Sequence, residues 1–86
     1  MAMTELEWMH IFAGNLKSLL DENRMTQRDL AEATGISKGM ISRYLNEECM
    51  PSVNALVNIA HEFPCAEIGD LLYFDDRIEL KPSRRW

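Results

Sequence analysis

The stretch Thr26 to Asn46 constrains this chain most. It reads T-Q-R-D-L-A-E-A-T-G-I-S-K-G-M-I-S-R-Y-L-N. Two start signals for helices stand close together in it. Thr26 is a good N-cap, and Asp29 three residues on makes a weak capping box. Met25 and Leu30 occupy the positions of a hydrophobic staple around that cap. Leu30, Ala31 and Thr34 form the inward face, and Gly35 suits the left-handed residue that ends a helix. A second N-cap, Ser37, follows at once, with Ile36 and Ile41 repeating the staple. Ile41, Tyr44 and Leu45 point inward. Gly35 therefore joins two short helices through a very tight turn, at which they cross. That arrangement is a helix-turn-helix.

The rest of the chain supplies helices for this pair to pack on. From Thr4 to Asn23, Phe12, Leu16 and Leu19 recur at helical spacing, with Trp8, Met9 and Leu20 beside them. Gly14 weakens this helix without breaking it. A fourth helix starts at Ser52, carries the apolar stripe Val53, Leu56, Ile59, Ala60 and Phe63, and is ended by Pro64. A short fifth segment from Ala66 to Phe74 holds Ile68, Leu71 and Leu72. Asp75 to Trp86 alternates Ile78 and Leu80 with charges, as a short strand or an extended arm does. The expected fold is all-α: a compact bundle of about five short helices with a central helix-turn-helix, plus that C-terminal arm or strand. Eighty-six residues leave room for one domain. We place it at 1–74, with a tail at 75–86 that is disordered or a dimerisation arm.

Charge narrows the function. The net charge is −5, which by itself argues against a polyanionic partner. Its distribution argues the other way. Residues 47–80 carry Arg77 against eight acids. Residues 26–46 hold Arg28, Lys38 and Arg43 against Asp29 and Glu32, and the tail adds Lys81, Arg84 and Arg85. The outer face of the second helix of the pair presents Ser37, Lys38, Gly39, Ser42, Arg43 and Asn46. None of these is acidic. In a helix-turn-helix this helix enters the major groove with its N-terminal residues toward base edges.

Several classes are excluded. No apolar run approaches the ~18 residues of a membrane span, and the N-terminus lacks the basic segment of a signal peptide. Cys49 and Cys65 are too few for a disulfide scaffold and read as free thiols in a reducing cytosol. His61 and Cys65 have metal-ligand spacing but are split by Pro64. No nucleophile triad or Gly-rich phosphate loop is present. The reading is a non-enzymatic cytoplasmic protein without cofactor or metal.

The sequence resembles the lambda-repressor-like helix-turn-helix domains, the Cro and xenobiotic-response-element type of bacterial and phage regulators. The segments that carry the resemblance are N-L-K-S-L-L (15–20), M-T-Q-R-D-L-A (25–31), T-G-I-S (34–37), I-S-R-Y-L-N (41–46) and P-S-V-N-A-L (51–56), spread over about Phe12 to Leu72. It implies sequence-specific binding of a double-stranded operator, usually by a symmetric dimer. By position, Gln27 would bond a phosphate and brace the recognition helix. Ser37, Lys38 and Gly39 would lie nearest base edges, and Ser42 and Arg43 would reach bases or phosphates. Asn46 and Asn54 would contact the backbone, and Ser52 would present a helix N-terminus suited to phosphate. The dimer surface stays open between Ile68, Leu72, Tyr73, Phe74, Ile78 and Leu80 on one side and Trp8 and Met9 on the other. Two departures stand out. Glu47 replaces the glycine common in relatives, at a position suited to positive φ. Phe63 to Leu71 is one residue longer than the common pattern. An alternative class also stays open: a protein-interaction module of antitoxin or anti-regulator type, docking a protein partner through its acidic segment.

Overall fold

A computed structural model describes residues 4–63 together with Leu71 and Leu72. Four helices follow one another in it: α1 (Glu5–Glu22), α2 (Gln27–Thr34), α3 (Lys38–Leu45) and α4 (Val53–His61). The described residues contain no strand. The fifth segment apart from Leu71 and Leu72, the C-terminal arm and the 74/75 boundary lie outside the described residues.

Each helix starts where its cap dictates. The Thr26 hydroxyl accepts from the Asp29 N–H at 3.0 Å, and the Asp29 carboxylate accepts from the Thr26 N–H at 3.0 Å. These two bonds complete the capping box. They hold the exposed Asp29 carboxyl below the usual carboxylate range, the Thr26 backbone N–H contributing most. Ser37 and Ser52 cap α3 and α4 by accepting from Met40 and Ala55 N–H groups, each at 3.1 Å. A second full box, Thr4 with Glu7, opens α1 at the helix start expected from the sequence.

The ends of α1, α2 and α3 use left-handed residues, whereas α4 ends at Glu62 with φ −85°. Gly35, at φ 79°, returns its N–H to the Ala31 carbonyl at 2.9 Å. Arg24 and Glu47 adopt the same region at φ 54° and 62° without being glycine. After α3, Glu47 N–H donates to Tyr44 and Glu48 N–H to Arg43, at 3.1 and 2.9 Å. This is the double-bonded Schellman ending. A non-glycine residue there costs about 1–3 kcal/mol unless its surroundings hold it.

The core joins all four helices. Phe12, Leu16, Leu30, Ile41 and Ile59 are fully buried, with Leu20, Tyr44, Leu56 and Phe63 nearly so. Phe12 meets Tyr44 edge to face, with ring centroids 5.7 Å apart. Burial, and secondarily the nearby Cys49, raise the Tyr44 hydroxyl above its ordinary pKa. At the staple positions, Met25 and Ile36 are half-buried against this cluster, to which Leu30 and Ile41 belong. Leu71 is fully buried, and its carbonyl accepts from the Asn15 amide at 2.9 Å.

Three expectations need correction. Val53 was placed in the apolar stripe of the fourth helix but is 70% exposed. It is the first residue of α4 and lies on the helix's outer side, while Ala55, Leu56, Ile59 and Ala60 enter the core. Ile11, absent from the expected stripe, is fully buried. Helix α4 ends at His61 with Glu62 as its cap, before Pro64 is reached.

Candidate nucleic-acid interface

Helix α3 is held from behind and open in front. Ile41 and Tyr44 anchor it against α1 and α2, with Met40 and Leu45 half-buried beside them. The opposite face carries Ser37, Lys38, Gly39, Arg43 and Asn46, all exposed, and Ser42, half-buried. Burying one stripe of an eight-residue helix leaves the other stripe to solvent. Lys38 and Arg43 form no ion pair with a described residue. In contrast, Arg28 on α2 lies 3.4 Å from Glu32, one turn further along, on an exposed surface. The cations of α3 are thus left for an external anion, as are Lys17 and Arg24.

The hydrogen bonds refine the assigned roles. The Ser37 and Ser52 hydroxyls each accept a helix-capping bond, so each keeps its proton to donate outward. The Asn46 amide donates to the Ser42 hydroxyl at 3.4 Å, tying two site residues together along one face. Gly39 sits on the open face, and a Cβ built there would meet nothing within 4 Å. No internal packing demands a glycine at this position. Ser52 and Asn54 stand exposed on the first turn of α4, where unbonded backbone N–H groups cluster.

Gln27 and Asn46 come together in space. They line one groove of about 380 Å³ with Lys17, Asp21, Thr26 and Leu45, between the end of α1, the start of α2 and the end of α3. Lys17 was not among the residues singled out from the sequence. Its place in N-L-K-S-L-L marks it as the exposed position beside Leu16, a weak signal. Its neighbours in the groove are decided by how α1 crosses the other two helices.

Glu47 lies just past α3 but is half-buried. Its carboxylate turns to α1, where His10 Nδ1 donates to Oε2 at 3.0 Å. Glu48 is exposed, as is Lys38 at the other end of the helix. Among the described residues no three His, Cys, Asp or Glu side chains gather as a metal site. No described helix is long and apolar enough to cross a membrane. Cys49 is a free, half-buried thiol packed against the core, and Cys65 lies outside the described residues.

Comparison with curated proteins and with solved structures returns no match for the chain. A family model does match: that of the Cro/C1-type HTH DNA-binding domain, over residues 15–77. This span contains all of α2, α3 and α4 and the last turns of α1. The all-helical fold, the capped helix pair joined at Gly35 and the acid-free outer face of α3 agree with that match, and the chain belongs to the Cro/C1-type helix-turn-helix DNA-binding family.

Proposed function

We propose that this DNA-binding domain is a sequence-specific transcription regulator, a cytoplasmic repressor of bacterial or phage type that binds a pseudo-palindromic operator as a homodimer. One observation carries the reading of the site. Lys38 and Arg43 project from the exposed face of α3 without an ionic partner among the described residues, on a helix that contains no acid. A surface built to stay merely solvated would gain from local pairing in a chain this acidic. Ser37, Lys38 and Gly39 face the base edges in this reading, and Ser42 and Arg43 reach bases or phosphates further along. Gln27 and Asn46 hold the backbone, joined by Lys17 across their shared groove. Ser52 and Asn54 bring the start of α4 to a further phosphate.

Few cations per subunit imply few released counterions and a shallow salt dependence. Specific affinity then requires two subunits, with half-sites about 34–36 Å apart. Selection of bound sites from a random duplex library at near-physiological salt tests this. Enrichment of a two-fold symmetric motif is the expected result. No enrichment by a folded protein refutes it and favours a protein-interaction module. Lys38→Glu with Arg43→Glu should abolish binding to the selected duplex; normal binding by that double variant refutes the site assignment.

A further inference from the structure

Glu47 poses a problem for a DNA-binding surface. It follows Asn46 directly, at the end of the helix that carries Lys38 and Arg43. Its backbone takes the left-handed conformation that glycine adopts without steric cost. The Schellman bonds that shape the turn are all main-chain, so they do not dictate where the side chain goes. The side chain goes to α1. Glu47 Oε2 pairs with His10 Nδ1 at 3.0 Å, across 37 residues of sequence. Both side chains are largely covered, at 19% and 21% exposure, whereas the adjacent Glu48 is exposed.

We propose that His10 is a positioning residue for DNA binding: it holds the Glu47 carboxylate against α1, away from the open face of α3 that meets the duplex. This rests on the reading of α3 as the recognition helix. The tie turns a residue hostile to phosphate into a brace between α1 and the turn after α3. Loss of the His10 bond weakens the hold on the carboxylate and lets it turn outward beside Asn46. A unit charge released a few ångströms from a phosphate in water weakens binding about fivefold. That loss shrinks as salt screens it.

The test compares wild type, His10→Ala, Glu47→Gly and the double variant for affinity to one selected duplex, at low and high salt, with Tm read for each. His10→Ala is expected to bind about fivefold more weakly at low salt, with the deficit fading at high salt. Glu47→Gly is expected to bind at least as well as wild type, and His10→Ala is expected to cost nothing in the Glu47→Gly background. A merely structural role for His10 would give the same loss in both backgrounds and at both salts, and that result overturns the proposal. His10→Gln keeps a side-chain N–H donor and is expected to bind like wild type; a fivefold loss with it overturns the proposal even where His10→Ala does not fold. If wild type binds but the pattern fails, only the role of His10 falls. If wild type binds no duplex, the recognition-helix reading falls and takes this role with it.

Discussion

Ser37 serves two purposes in this structure, and two substitutions separate them. Its hydroxyl accepts from the Met40 N–H at 3.1 Å and is the side-chain cap of α3. It is also exposed, at the helix end that the proposed function turns toward base edges. Ser37→Ala removes both. Loss of such a cap costs about 1 kcal/mol. The first turn of α3 holds no acid to compensate, so the full value should appear. In a domain of this size that lowers Tm by about 4–8 °C. Ser37→Asp keeps the cap, because aspartate caps as well as serine and its charge suits a helix N-terminus. Its carboxylate only accepts, so it cannot donate to a guanine edge or to phosphate, and it repels the latter. The expected pattern is therefore crossed. By circular dichroism, Ser37→Ala melts several degrees low while Ser37→Asp holds or gains. By fluorescence anisotropy with the selected duplex, Ser37→Asp loses binding while Ser37→Ala, measured well below its Tm, keeps part of it. Equal destabilisation by both would refute the capping argument. Undiminished binding by Ser37→Asp would refute the placement of this helix end against DNA.

Other substitutions probe the remaining features. Gly39→Ala meets no atom within 4 Å and should stabilise α3 by about 0.5–1 kcal/mol in thermal or urea unfolding while lowering duplex affinity; a lower Tm would refute the open placement of that face. Asp29 has a folded-state pKa below its ordinary value of 3.8, so its bonds to Thr26 stabilise the fold above that value and are lost as pH falls through the depressed one. Wild type should thus lose Tm on acidification more steeply than Asp29→Asn, and identical pH profiles would refute the cap's ionic character. Lys17→Ala should weaken binding to all duplexes alike and reduce the salt slope by about one contact; an unchanged slope would remove the groove from the interface.

The helix pair was legible because its signals are local. A cap reaches three residues ahead, a staple five, and a left-handed glycine returns its N–H four residues back. Thr26, Asp29, Gly35, Ser37 and Ser52 therefore perform in the structure what their spacing announces. Glu47 shows the limit within a single residue. Its positive φ was implied by the glycine that relatives carry there, and the turn is made by main-chain bonds to Tyr44 and Arg43. The destination of its carboxylate was not, because His10 lies on another helix.

The same division runs through the molecule. Sequence alone determined the helix starts, the crossing at Gly35, the inward Leu30, Ile41 and Tyr44, and the acid-free face of α3. Tertiary packing decided that Val53 is exposed, that Ile11 is buried, that Lys17 shares a groove with Gln27 and Asn46, and that Asn15 reaches the Leu71 carbonyl 56 residues away. The physical reason is range. Backbone hydrogen bonding within a turn depends on neighbours a few residues apart, whereas burial and side-chain pairing depend on where whole helices cross.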